Sequence, residues 1–447
     1  MRPQRKAWRA LLGWVVAMGM LVSPPLSLGQ ASELLDLLKK KGVITEREYR
    51  ELKSVEKAKE VSIREEIKKA QPPFDTKYKG GLRFTSKDKQ HLLRINVQAF
   101  SQFSMFPEGA DADNNFRARR GRLTFRGKLF KDFTYRLELD GSASNVLDQD
   151  AYLGWERHKK FRIRVGQHKT RFGGEQTYSR YSLFFLERSM ISDNIPEGAS
   201  RGVFVYGDLD PTFRYEASVS NGNKRNDDDN DEKDFAVRFI TKPFKESAKA
   251  KVFPIEFSVN AAVGNQPHSS KGGRTRLFLR DNRLSVFNVA TEGLRQRYGV
   301  DIWYNKDYKN KGGLPLSATA EFIYEKQERE GPVLGVGNDD LIRYGYHVQG
   351  GYLLTGSRKK NGLELVAKYE TIDMDDNDRS AGTEDLAGQT VNIFGFGINY
   401  WPIKAVRLSG NVFAFDIDRP VTSAADDDPF NNGGSTWAIL TGAYFKF

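Results

Sequence analysis

Four cations stand at even spacing on one short stretch of this chain: Arg120, Arg122, Arg126 and Lys128. They alternate with Leu123, Phe125, Gly127 and Leu129, all apolar or small. A β-strand turns successive side chains to opposite faces, so the four cations share one face. Arg162 and Arg164 repeat the arrangement nearby. A guanidinium donates hydrogen bonds in a planar fork that fits the oxygens of carboxylates and phosphates. A ladder of such groups lets an oxyanion exchange one donor for the next. At about 4 Å and an effective dielectric near 20, each contact offers roughly 4 kcal/mol before desolvation. Several weak sites in series permit passage, where one deep site would trap the ion. A second reading stays open: Glu138, Asp140 and Glu156 are placed to pair with these arginines and merely stiffen a wall.

The elements that must carry this ladder alternate with period 2 from His91 to the end of the chain. Leu93, Ile95, Val97, Ala99, Phe103 and Met105 oppose Arg94, Asn96, Gln98, Gln102 and Ser104. Comparable segments recur until Trp437, Ile439, Thr441, Ala443, Phe445 and Phe447 form one face of a terminal strand. About sixteen strands follow from this pattern. Placing Arg or Lys against lipid at mid-depth costs about 2–4 kcal/mol each, so the charged face lines a lumen. The predicted fold is all-β: a transmembrane antiparallel barrel of about sixteen strands, with a short helical periplasmic segment ahead of it. Connections alternate between long and short, as a barrel with external loops and periplasmic turns requires. Lys131–Asp132 and Pro402–Lys404 are short, whereas 169–201, 222–233, 265–296, 372–389 and 417–435 are long.

The amino terminus fits export. Arg2, Arg5, Lys6 and Arg9 precede the twelve-residue apolar run Leu11–Val22, and small residues follow up to Ala31. That run is short of the roughly 20 residues a spanning helix needs. The expected organisation is a signal peptide over 1–29, a helical periplasmic extension over 30–73 and the barrel over 74–447. In the extension, Thr45 and Glu48 form a capping box, and Tyr49, Leu52 and Val55 share a helical face. It reads either as a solvated extension or as a small oligomerisation piece. The mean hydropathy of −0.59 and 29% charged residues exclude a helical membrane protein. A barrel tolerates such a composition because only half of each strand need be apolar. The 447 residues include no cysteine, so there are no disulfides or thiolate metal sites. The formal charge is +12, or +8 without the leader. A basic balance can mean nucleic acid, an anionic membrane surface or anionic solutes, and export and barrel patterning argue against the first.

The long connections differ in charge. Those at 222–233, 372–389 and 417–435 are acidic, whereas 265–296 carries Lys271, Arg274, Arg276, Arg280 and Arg283. The connection at 169–201, which holds Arg188, is slightly positive and is the candidate constriction. These two basic loops are expected to fold over or into the pore, with the acidic loops outside. Asp373, Asp375 and Asp378 lack the glycine and the glutamate of an EF-hand, which leaves divalent cations shared with lipopolysaccharide or plain solvation. His91, His158, His168, His268 and His347 are scattered, with no zincin motif and no phosphate-binding glycine loop. The expectation is therefore no enzyme, no metal and no cofactor.

The chain also resembles a known family, the phosphate-selective porins O and P. The likeness rests on Arg119–Lys128 (RRGRLTFRGK), Tyr135–Glu138 (YRLE), Ala151–Gly154 (AYLG), Arg164–Lys169 (RVGQHK), Phe172-Gly173 and Glu187–Ser189 (ERS). Further on it includes Ser220–Gly222 (SNG), Gln349–Gly356 (QGGYLLTG) and Gly362–Leu365 (GLEL). It covers roughly residues 90 to 447. The resemblance implies a sixteen-stranded trimeric porin with an inward-folded third loop and a pore lined by arginine and lysine. The expectation is passive diffusion of small anions, phosphate or polyphosphate above all, through the bacterial outer membrane. The expected partners are such anions, outer-membrane lipid and lipopolysaccharide, and two further copies of the chain. The alternatives are a general-diffusion or differently selective porin, or a structural or adhesive barrel with a plugged lumen.

Overall fold

The computed structural model describes residues 39–41, 45–70, 74–110, 113–142, 147–226, 228, 230–245, 254–269, 275–276, 285–287, 291–308, 315–328, 340–375, 389–418 and 434–447. The chain divides into two compact units, Met1–Pro73 and Phe74–Phe447. In the first, helix α1 (Glu46–Ala70) begins at the capping box: Thr45 N donates to Glu48 Oε2 at 2.8 Å, and Glu48 N returns the bond to Thr45 Oγ1 at 3.4 Å. Glu46 and Glu48 also place negative charge in its first turn, where the helix dipole favours it. The expected signal peptide, residues 1–29, lies outside the described residues.

The second unit is the barrel. A hairpin of β1 (Phe74–Tyr78) and β2 (Leu82–Ser86) precedes it. Then come β3 (Leu92–Met105), β4 (Asn115–Leu129), β5 (Phe133–Asp140), β6 (Leu147–His158), β7 (Phe161–Lys169), β8 (Ala199–Asp208), β9 (Phe213–Ser220), β10 (Asp234–Thr241) and β11 (Ile255–Ser269). A two-stranded piece of β12 (Thr275–Arg276) and β13 (Ser285–Phe287) stands apart from the barrel sheet. The wall resumes with β14 (Thr291–Tyr304), β15 (Leu316–Gln327), β16 (Leu341–Ser357), β17 (Lys360–Asp375), β18 (Gln389–Ile403), β19 (Val406–Asp418) and β20 (Gly434–Lys446). Each wall strand pairs antiparallel with the next. The sheet closes where β20 meets β3, from Ile439 opposite Met105 to Lys446 opposite Gln98. Of the eighteen strands in that sheet, sixteen form the closed barrel and two are the hairpin.

Alternation fixes the faces. On β10, Phe235, Val237 and Phe239 point outward and exposed, while Ala236, Arg238 and Ile240 are buried inside. A slip of one register position would exchange the two sets, at the lipid cost given above. The hairpin is a difference from the sequence reading, which set the barrel over 74–447 but began its strands at His91. β20 ends level with Val97, whose backbone exchanges both hydrogen bonds with Phe447, at 2.9 and 3.1 Å. Beyond that point the edge of β3 pairs with β2 instead, from Leu82 opposite Ile95 to Thr85 opposite Leu92. An edge that would otherwise stand unpaired is thereby covered.

The packed core lies inside the cylinder. Residues 170–198, the third long connection, fold inward with helices α2 (Gly174–Thr177) and α3 (Met190–Asn194). Phe172, Phe184, Phe185, Leu186, Met190 and Ile191 of this inner loop pack against inward side chains such as Trp303, Ile323, Ile372, Phe413 and Leu440. At Gly345 the two surfaces come so close that a Cβ there would collide with the Ile191 side chain. The sequence reading placed 169–201 at the constriction, and the loop's position inside the barrel agrees.

Candidate anion path and the inner loop

β4 carries the ladder as expected. Arg120, Arg122, Arg126 and Lys128 all face the lumen, although a bulge at Arg119 shifts the phase above Arg120. Their partners differ. Arg122 donates from Nη1 to Glu138 Oε1 at 2.8 Å and from Nε to Asp140 Oδ2 at 2.7 Å, both on β5. Arg164 on β7 bonds Glu156 Oε1 of β6 at 2.8 Å, and its guanidinium stacks 4.6 Å from the centre of the Tyr206 ring. Arg162 bonds Asp208 Oδ2 at 2.9 Å. For these three, the wall-network reading describes the geometry.

Arg120 and Arg126 are different. Arg126 Nε donates to the neutral Asn96 Oδ1 at 3.2 Å, and Arg120 Nη1 donates to the Tyr444 hydroxyl at 3.3 Å. Among the described residues neither has a carboxylate partner. Lys128 is exposed at the end of β4 that leads into the short turn to β5. Register sharpens the point, because Arg94, Arg126 and Arg136 stand directly opposite one another on β3, β4 and β5. Like charges facing each other across strands are unfavourable. Only Arg136 of the three is offset by acids, Glu138 at 2.5 Å and Asp150 at 2.9 Å.

Arg188 faces the loop's own backbone rather than the pore. It is buried, and donates from Nε to the Glu175 carbonyl and from Nη2 to the carbonyls of Gln176 and Tyr178, each at 3.2 Å. Lys169 Nζ bonds the same Gln176 and Tyr178 carbonyls at 3.0 and 3.1 Å. Two cations thus share the last carbonyls of α2. Burial, and then the neighbouring Arg180, lower Arg188 to about 9, so it remains a cation at neutral pH. Burial also works against the charge on Arg180, but Asp193 and Glu187 outweigh it. Glu187 bridges two arginines, Arg119 Nη2 and Arg180 Nη1, each at 2.7 Å.

Of the basic loop, Lys271, Arg274, Arg280 and Arg283 lie outside the described residues. Arg276 is placed only by its backbone, opposite Ser285 in the β12–β13 pair. His268 lies at the end of β11. Asp378 of the acidic loops is outside the described residues as well.

What the sequence reading missed is the anchoring of the inner loop. Glu321 on β15 accepts from Gly174 N at 2.6 Å and Glu175 N at 3.1 Å, the first amides of α2. Glu370 on β17 accepts from Met190 N, the first amide of α3, at 2.8 Å, with Lys368 Nζ on its other oxygen at 2.6 Å. These wall carboxylates therefore meet the donor ends of the loop's two short helices. Arg407 on β19 donates to the carbonyls of Leu183 and Phe184 at 2.7 and 2.8 Å. Asn260, Asn399 and Asn411 bond Gly173 N, the Phe184 carbonyl and Leu186 N in turn. Period-2 patterning marks all these groups as inward, but nothing local names their partners.

A closed sixteen-stranded barrel with a charged lumen and an inward third loop is the architecture of an outer-membrane porin. The comparisons place it further. The family model described as phosphate-selective porin O and P matches residues 93–447, and the chain belongs to that family. It is also similar to an uncharacterized protein of Aquifex aeolicus (strain VF5), 22% identical over 418 residues, covering 89% of this chain and 93% of the relative. Among solved structures, the trimer form of the outer membrane protein OmpT of Vibrio cholerae shares the fold, with a TM-score of 0.55 and 11% identity over 80% of this chain and 99% of that one. OmpT expressed in the outer membrane scores 0.54 at 13% identity, covering 81% and 100%. The family places the protein among outer-membrane porins, and the fold agrees.

Proposed function

We propose that this porin passes small anions selectively, phosphate or polyphosphate above all, along the lumenal faces of β3–β9. The observation that carries the reading is the line of Arg120, Arg126 and Arg94. These guanidinium groups face the lumen and, among the described residues, have no carboxylate partner, so their donors remain available to a passing oxyanion. Arg122, Arg162 and Arg164 keep the path positive while acids hold them in place, and each gives a weak site rather than a trap. The family's printed description, phosphate-selective, supports the same preference.

The chain works as a homotrimer in this reading. A shallow hollow on the lipid-facing wall sets the small Ser101, Thr441 and Ala443 beside the large Phe103, Phe116 and Tyr400, and a neighbouring barrel fits against it. Residues 1–29 act as a cleaved signal peptide, and residues 30–73 form the periplasmic extension. Lipopolysaccharide surrounds the external loops.

Planar-bilayer recordings test the proposal. A salt gradient should give a reversal potential on the anion side, and added phosphate should reduce chloride current. A reversal potential near zero would make this a general-diffusion pore. The absence of conductance steps would make it a plugged, structural barrel.

A further inference from the structure

His347 sits where the first helix of the inner loop meets the barrel wall. Its ring is fully buried, and Nε2 faces two carboxylates at once: Glu321 Oε2 of β15 at 3.2 Å and Glu175 Oε2 of α2 at 3.7 Å. The first belongs to the wall and the second to the loop. Neither has another cationic partner among the described residues. The remaining bonds to Glu321 come from Gly174 N, Glu175 N and Ser192 Oγ. Those to Glu175 come from Ser189 N and Gln349 Nε2. All of these donors are neutral.

The other charged groups around the ring are already matched. Glu370, opposite His347 on β17, is paired with Lys368. Asp301, opposite Glu321 on β14, is paired with Arg238. Arg343, four residues away on β16, is paired with Glu325. Arg188, which bonds the Glu175 carbonyl, also reaches Asp193 at 3.5 Å. The nitrogen of the Gln349 amide lies 3.5 Å from Nδ1, too long to engage that side of the ring firmly. Among the described residues, His347 is thus the one basic side chain within 4 Å of these two carboxylates, which are each about 1% exposed.

We propose that His347 is a positioning residue for the constriction, carrying the proton that joins the inner loop to the wall. This rests on the porin reading of the site. A neutral imidazole would leave two ionised carboxylates side by side in a dry site, and like charges there repel strongly. Glu321 is fixed in a strand, so the loop is the part that yields. α2 carries Glu175 and presents the carbonyls that hold Lys169 and Arg188. Moving α2 therefore displaces the carbonyls that hold Arg188 of the loop and Lys169 at the end of β7, and the proton state of a group that no solute touches alters how the loop sits inside the pore.

The test is single-channel conductance and open-channel noise in planar bilayers, from about pH 5 to about pH 9, across the ordinary imidazole range. The wild type should show a step of one proton. H347K, cationic throughout, should stay at the wild type's acid level, and H347Q should stay at its alkaline level. His168, which is also buried inside the barrel, remains in all three proteins, so its titration cancels in the comparison. Should H347Q fail to assemble, ¹⁵N-ring-labelled wild type and H347K in micelles give a second readout. The histidine signal missing from H347K should titrate in step with the conductance. A conductance step that survives in both variants, or a ring that keeps one protonation state throughout, overturns the proposal. So does a divalent metal retained at one per chain, because a metal and not a proton would then be the joint. A protein that forms no channels refutes the porin reading, and the ring titration then decides the role of His347 alone.

Discussion

The inner wall of this barrel has two halves built from the same residue types. On β4–β7, the side chains of Arg122, Arg136 and Arg164 are 18%, 24% and 19% exposed. On β10–β17, those of Arg238, Arg343 and Lys368 are 4%, 3% and 0% exposed. Both sets point inward, and both are paired with acids. The difference is the inner loop, which packs over the wall from β10 to β19 and, although it touches Arg119 and Lys169, leaves Arg122, Arg136 and Arg164 partly open to the lumen. In the covered half an ion pair is structural: each charge is buried, and removing one partner strands the other. In the open half water screens the pairs, and a passing anion can compete for the same donors. Residue type thus does not settle what an arginine does here; the cover above it does.

The sharpest way to break that comparison is Arg407→Ala in the covered half. It would strand the buried Leu183 carbonyl and remove one of the donors to the Phe184 carbonyl and to Asn399 Oδ1, which keep Asn399 Nδ2 and Ser409 Oγ. The expected loss is about 2–4 kcal/mol for a charged donor to several buried acceptors, read as a lower unfolding midpoint of the folded barrel in detergent. A loss below about 0.5 kcal/mol would mean the loop is not held by this residue. Next in size is Glu321→Gln. It keeps the shape but removes the charge that meets the amides of α2, with an expected cost of about 1–3 kcal/mol and a noisier channel. Arg122→Ala, in the open half, should cost only about 1 kcal/mol, because Glu138 keeps Arg136 and Asp140 keeps Ser142. Replacing both Arg120 and Arg126 with alanine should leave the unfolding midpoint nearly unchanged while moving the reversal potential towards zero. A large stability loss with unchanged selectivity would reverse the roles given to the two halves. Smallest of all, Arg157→Ala removes a turn pair at 4.0 Å whose arginine is 64% exposed. It should change nothing measurable in either assay.

Much of the fold was legible because a barrel wall is a repeated local pattern. Alternation in 93–105 and 120–129 marked both the strands and the lumenal face, and the structure places those side chains as the pattern requires. The hairpin of β1 and β2 was not legible. Its strands are five residues each, and Lys77 and Arg83 interrupt the apolar runs. What selects the hairpin is a vacant edge on β3, visible only once β20 is known to stop at Val97. The β11–β14 connection was read as loop from Asn265, yet its pairing runs on to Ser269 opposite Thr291, past a shift at Gln266. In the ladder, residue types and face were plain, but the choice between free and paired arginines was not. Arg122 meets Asp140 and Arg126 meets Arg136 because of the β4–β5 register, which no single segment encodes. Arg188 shows the limit most clearly. Its charge suggested the pore, while the carbonyls that engage it lie in the turn formed by its own loop. The anchors Glu321, Glu370 and Arg407 could be read as inward, but their partners lie more than a hundred residues earlier in the chain.

The most direct measurement is the zero-current potential of the reconstituted wild-type pore in a potassium chloride gradient, before and after phosphate is added to both sides. An uncovered, arginine-lined half predicts a potential of the sign set by chloride, together with a chloride current that falls as phosphate occupies the ladder. A potential near zero or of cationic sign, with a current indifferent to phosphate, would contradict it.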